Sequence, residues 1–253
     1  MAGLGAPVAL FLSPHLDDAA FSCGGTVALL SDAGWRCVVA TAFTASVPHP
    51  AGFALACQLN KGLGPEVDYM ALRRDEDRAA CALLGAEPRW LGLPEAPHRG
   101  YGSAPALFSP PRLMDDIWRT LADEVDVLLA ELRPERVYAP QGLGGHVDHR
   151  QVIRAVLDRV EPAQLWFWRD APYIIRDPAA QPDPAVPCGA PEQVDIAAGL
   201  ERKVAASCAY ASQVGFQFGG TAACAEAVRA LAWQEGSGVP AERFMRGDSL
   251  PIP

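Results

Sequence analysis

Two short stretches carry residues able to do chemistry together: "PHLDD", with His15, Asp17 and Asp18, and "GLGGHVDH", with His146, Asp148 and His149. Three of the five histidines in the 253-residue chain fall in these windows. A catalytic zinc site needs three protein ligands from imidazole and carboxylate and keeps a fourth position for water. His15 and Asp18 are three residues apart, so one turn can aim both inward, and an imidazole from the second window completes such a set. Zinc lowers the pKa of its water to about 7, but a base must still take the proton. Asp17 lies beside a ligand without being needed as one, which suits it to that task. Taken singly, paired aspartates after a strand are ordinary helix caps, and "HVDH" is an ordinary turn opening a helix. Their conjunction selects the metal reading. His49 and His98 sit in loops without partner spacing and are expected to be structural or surface residues.

Both windows follow apolar runs, "VALFLS" (8–13) and "RVYAP" (136–140). Further short β-type runs occur at 36–43, 89–93 and 164–168, and helical patterns at 24–33, 71–85, 112–132 and 149–160. Strands alternating with helices predict βαβ units around a mostly parallel sheet covered on both faces. In such sheets ligands bind beyond the carboxyl ends of the strands, where both windows lie. Gly24 and Gly25 permit close chain approach as the first helix begins. Two more helices are expected at 195–213 and 220–235, separated by "VGFQFGG". Three long loops, 44–70, 94–111 and 176–194, are the segments expected to choose a substrate.

Half the residues are apolar, enough for a sizeable core, and the formal charge is −9 without any dense basic block. Nucleic acid and anionic membrane surfaces are therefore poor partners. Seven cysteines without a CxxC pair fit reduced thiols. The N-terminal stretch from Met1 has no basic region before a short apolar run, so neither a signal peptide nor a membrane span is expected, and the reading is cytoplasmic. "GLGG" lacks a following GK[ST], so a phosphate loop is not supported.

"PHLDD" with its glycines, and "HVDH" far downstream, resembles the PIG-L/LmbE-like family of zinc-dependent N-acetylglucosaminyl deacetylases. "LRRDEDRAACALLGAEPRWLGLPEA" (72–96) is similar to the family's helix, strand and LGxPD-like turn. "LWFWRDAPY" (165–173) is similar to its YEDxPY segment, and "KVAASCAYASQVGFQFGG" (203–220) to its C-terminal K…Y.SQ stretch. The resemblance implies an α/β, Rossmann-like three-layer sandwich forming a single domain over 1–253. It implies that His15, Asp18 and His149 bind zinc, a donor set that also accepts iron or cobalt, and that Asp17 is the general base. It further implies that His146 stabilises the oxyanion or protonates the leaving amine and that Asp148 orients His146. Arg73 and Glu95 fall where the family contacts sugar.

Ala19, Leu16 and Arg169 depart from the family pattern, and Arg169, at a commonly acidic place, is expected to alter one side of the substrate pocket. The partner implied is a small molecule or glycoconjugate containing an amino sugar, and an oligomer is compatible with the sequence. The reaction implied is removal of an N-acetyl group. The alternatives are an amidase cleaving a bulkier acyl group and a non-catalytic carbohydrate-binding module. Trp166, Trp168, Tyr101 and Phe108 are candidates to stack on a sugar, although packing is the commoner role of such residues.

Overall fold

A computed structural model describes residues 5–248. Residues 1–4 and 249–253, including the start of the N-terminal stretch and both ends of the expected 1–253 domain, lie outside the described residues. Seven strands form one sheet in the order β3-β2-β1-β4-β5-β7-β6. They are β1 (Val8–Ser13), β2 (Arg36–Thr41), β3 (Ala86–Trp90), β4 (Arg136–Pro140), β5 (Leu165–Trp168), β6 (Glu192–Asp195) and β7 (Ala241–Arg246). The first five are parallel; β7 runs antiparallel to β5, and β6 antiparallel to β7. This is the expected α/β architecture.

Alternate residues of each central strand feed opposite cores, as the pleat requires. Ala9 and Phe11 of β1 join one cluster with Cys37 and Val39 of β2, while Leu10 and Leu12 join the other with Val38 and Ala40. The helices are α1 (Asp18–Asp32), α2 (Gly52–Leu59), α3 (Tyr69–Leu84), α4 (Ala104–Leu107), α5 (Ile117–Leu132), α6 (Val147–Arg159), α7 (Tyr173–Arg176), α8 (Leu200–Cys208), α9 (Ala211–Phe218) and α10 (Thr221–Glu235). The first core packs under α1, α3, α8 and α10, and the second under α5 and α6. None of the described helices is long and apolar enough to cross a membrane.

Several boundaries differ from expectation. The first helix starts at Asp18, not near 24, and breaks at Cys23 (φ −133°, ψ 19°). The break frees the amides of Gly25 and Thr26, which donate to the Glu242 carboxylate of β7 at 2.9 and 2.8 Å. Glu242 is in turn paired with buried Lys203 of α8 at 2.7 Å. A Cβ on Gly25 would meet Ile196 at 2.7 Å, so the predicted close approach is present. The strand expected at 89–93 lies at Ala86–Trp90, on the half-exposed sheet edge. The helix expected over 195–213 is two, interrupted at Tyr210, and most of "VGFQFGG" is helical within α9. Loop 44–70 contains α2, and loop 94–111 contains a 3₁₀ turn (Ala96–Arg99) and α4. The antiparallel pair β6/β7 was not expected, because four mostly exposed residues such as "EQVD" carry no apolar period.

Candidate active site

The sheet order reverses between β1 and β4: β1 leads to β2 on one side, and β4 begins the other half. This is the topological switch point at which open α/β sheets bind ligands. "PHLDD" leaves β1 there and "GLGGHVDH" leaves β4. The first turn is closed by Ser13 Oγ, which donates to the His15 carbonyl (2.8 Å) and accepts from the Ala19 amide (3.2 Å), while the His15 amide donates to Asp18 Oδ2 (2.9 Å). The second turn uses left-handed backbone at Gly142, Gly144 and Gly145, and a Cβ on Gly144 would strike the Tyr173 ring at 2.6 Å.

These turns bring three side chains together. Asp18 Oδ2 lies 3.2 Å from His15 Nδ1 and 3.2 Å from His149 Nε2. The remaining nitrogen of each ring faces a further carboxylate: His15 Nε2 lies 3.0 Å from Asp148 Oδ2, and His149 Nδ1 lies 2.7 Å from Asp170 Oδ1. Carboxylates that fix the outer nitrogen of an imidazole are the usual support of metal-binding histidines. His149 is fully buried, yet its Nε2 has no aligned hydrogen-bond partner. An orphaned, inward nitrogen beside a carboxylate oxygen and a second imidazole fits a divalent cation such as zinc. The electrostatics agree in direction. Although burial opposes it, Asp18 is held far below the usual carboxylate range by His149 and His15. Against the same opposition, Asp18 and Asp170 push His149 up to about 9. Carboxylates thus outweigh burial in calling for positive charge here.

His146 also brings a ring nitrogen within 4.8 Å of nitrogens of His15 and His149, so an all-histidine set is an overlapping choice of ligands. Its hydrogen bonding argues for a different task. His146 caps α6, its Nδ1 accepting from the Asp148 amide at 3.2 Å. Burial lowers its pKa to about 3, so the ring is neutral with its proton on Nε2. A nitrogen that carries a proton donates a hydrogen bond and does not ligate.

The expectation that Asp148 orients His146 is corrected. The Asp148 carboxylate turns to His15 Nε2, the Ala96 amide (3.1 Å) and Arg99 Nη1 (2.8 Å), and only its backbone amide meets His146. The cause is the helix start, which points the side chains at 146 and 148 to different sides. Asp17 is buried, and burial raises its carboxyl to about 6 against the opposing Arg73. Arg73 Nη2 lies 3.4 Å from Asp17 Oδ2, and Arg73 Nη1 lies 2.7 Å from Glu95 Oε1. The two residues expected at a sugar are therefore paired with each other, and Arg73 also with Asp17.

All of these groups except His149, Asp170 and Arg99 line one cavity of about 440 Å³. His98, expected to be structural or surface, lines it too. Of the four aromatics, Phe108 alone lines the cavity; Trp166, Trp168 and Tyr101 are core residues. Arg169 pairs with Glu235 of α10 and is not on the cavity wall, so its expected effect on the pocket is corrected. Ala19 is buried in the first core. Sequence reasoning passed over Asp170. Its signal is of the kind the two windows carry, an acidic residue shortly after an apolar strand: Asp170 lies two positions beyond the end of β5.

The family described as PIG-L: GlcNAc-PI de-N-acetylase matches residues 10–160, which contain every residue of the cluster except Asp170. The chain belongs to this family. This PIG-L chain is 35% identical over 167 residues to 2'-N-acetylparomamine deacetylase of Streptomyces fradiae, covering 65% of the chain but only 57% of that relative. It is 29% identical over 237 residues to the 1D-myo-inositol 2-acetamido-2-deoxy-alpha-D-glucopyranoside deacetylase of Mycobacterium sp. (strain KMS), covering 82% and 74%. Among solved structures, A40926 pseudoaglycone deacetylase superposes with a TM-score of 0.80 at 26% identity over 96% of the chain and 97% of its own.

Proposed function

We propose that the protein is a zinc-dependent hydrolase that removes the N-acetyl group of an amino sugar or glycoconjugate. The observation that carries this is the cluster of His15, Asp18 and His149 at the switch point, with an orphaned His149 Nε2, and with Asp17 lining one cavity together with His15 and Asp18. The deacetylase names of the relatives support the same reading.

His15, Asp18 and His149 would hold the metal, which when bound supplies a Lewis acid that acidifies water and draws charge from the amide carbonyl. Asp17 takes a proton from the attacking water; its nearest charged partner, Arg73, keeps the carboxylate ionised and aimed. The Nε2 proton of His146 is donated towards the carbonyl oxygen as negative charge develops there. The new C–O bond forms, the C–N bond breaks, and the nitrogen takes a proton from Asp17 or His146, leaving acetate and a free amine. Asp148 and Asp170 act one step further out, holding the rings of His15 and His149. Arg73 and Glu95 offer sugar hydroxyls a donor and an acceptor at the cavity wall.

We read the chain as one domain, since the described strands share a single sheet. A cytoplasmic setting is supported by seven cysteines that form no disulfide. The decisive experiment compares metal-free and zinc-restored protein on a panel of N-acetylated amino sugars, with larger N-acyl analogues alongside, following acetate and amine release. Zinc-dependent acetate release is expected, and its absence from every compound overturns the proposal. Iron and cobalt reconstitution identifies the metal giving the highest turnover.

A further inference from the structure

Behind His15 lies a buried cation that takes no part in the proton transfers. Arg99 closes the 3₁₀ turn Ala96–Arg99, and its side chain is 8% exposed. Its Nε and Nη2 donate to the two oxygens of Asp115 at 3.0 and 2.9 Å, the bidentate geometry of a guanidinium on a carboxylate. Nη1 points the other way, 2.8 Å from Asp148 Oδ1, and donates to the Pro94 carbonyl at 2.8 Å. Little freedom is left to this side chain. The guanidinium lies 4.9 Å from the centroid of the Phe43 ring, and the Tyr101 hydroxyl donates to Asp115 Oδ2 at 2.8 Å. Gln151, three residues on from Asp148 in α6, donates to the Asp115 carbonyl at 3.1 Å, so both carboxylates that Arg99 bridges are anchored by one helix.

Asp148 joins two parts of the site. Its Oδ2 lies 3.0 Å from His15 Nε2 and accepts from the Ala96 amide at 3.1 Å, while Oδ1 faces Arg99. The Pro94 carbonyl and the Ala96 amide flank Glu95, so the Arg99–Asp148 pair clamps the backbone on both sides of a residue that lines the cavity with His98. An imidazole that binds a metal is neutral. Arg99 is then the one full positive charge in contact with the fully buried Asp148 among the described residues. A buried carboxylate stripped of such a partner is costly to keep ionised, and its loss would release His15 and the Ala96 amide together.

We propose that Arg99 is a positioning residue through which an occupied metal site orders the segment 94–101. This rests on His15 being a metal ligand, as in the deacetylase reading. Zinc affinity is measured by chelator competition, without substrate, in the wild type, Arg99→Met, Asp148→Asn and the double variant. Arg99→Met should weaken zinc binding about tenfold, the lower end of the range for groups that support a metal-binding imidazole. In the Asp148→Asn background the same change should have little further effect, because the carboxylate it acts through is gone. Hydrogen–deuterium exchange supplies the second readout: zinc loading should slow exchange over 94–101 in the wild type and not in Arg99→Met. Melting temperature verifies the fold of each variant. Arg99→Lys, which keeps the charge but cannot form the fork, carries the same comparison where Arg99→Met does not fold. Unchanged zinc affinity in Arg99→Met, equal weakening in both backgrounds, or exchange over 94–101 that ignores zinc in the wild type or still responds to it in Arg99→Met overturns the role of Arg99 and leaves the deacetylase reading standing. A wild-type protein that binds no zinc overturns the metal reading, and the role of Arg99 with it.

Discussion

Replacing Asp170 by Asn preserves side-chain shape but removes the charge that faces His149 Nδ1 at 2.7 Å. A hydrogen bond to a charged group contributes about 1.5–3 kcal/mol, which corresponds to roughly 10–100-fold in an equilibrium constant. Loss of a carboxylate behind a metal-binding imidazole costs about the same factor in metal affinity. The substitution has a second consequence. Asp170 Oδ2 also accepts from the Leu143 amide at 3.1 Å, so the asparagine amide group must confront either His149 or a backbone N–H. Asp170→Asn should therefore bind zinc about 10–100-fold more weakly, read by competition with a chromophoric chelator. Turnover should recover as zinc is raised, since no reacting group has been removed. A folded variant that binds zinc as tightly as the wild type would refute the assignment of His149 as a ligand supported by Asp170.

Asp17→Asn should keep its zinc but lose about 10²–10⁴-fold in kcat, the usual contribution of a positioned base; surviving activity would show that another group takes the proton. Asp148→Asn should weaken zinc binding, because its carboxylate holds His15; a loss confined to kcat would instead favour a role through His146. Glu242→Ala leaves Lys203 buried without its partner and the Gly25 and Thr26 amides without an acceptor. Breaking such a pair costs about 3–5 kcal/mol, measurable by denaturant unfolding. Gly25→Ala forces a methyl to 2.7 Å from Ile196 and should cost about 1–3 kcal/mol in the same assay; an unchanged midpoint would mean that α1 can move away from the segment holding Ile196.

The parallel half of the sheet and the place where the candidate site lies can be read from the order of residues alone. Apolar runs such as "VALFLS" and "RVYAP" mark strands buried on both faces, and strand–helix alternation leaves few topologies, each with its ligand site at strand ends. The cluster of His15, Asp18 and His149 is legible because residues able to bind a metal are few, costly to bury and conspicuous after an apolar strand. The antiparallel β6/β7 edge was not, since a short half-exposed strand gains its stability from pairing partners distant in sequence and carries little periodic signal of its own.

Which carboxylate serves which ring depends on packing across the sheet. Asp148 is two residues from His146 but turns its side chain to His15, 133 positions away, while Asp170 reaches His149 from the end of a neighbouring strand. The same packing turned Arg73 and Glu95 into an ion pair beside Asp17 and withdrew Trp166, Trp168 and Tyr101 into the core. Residue type and spacing fix which groups can do chemistry. The partner of each group depends on the direction in which its side chain leaves the backbone and on which strand end lies beside it, and both are set by packing across the sheet.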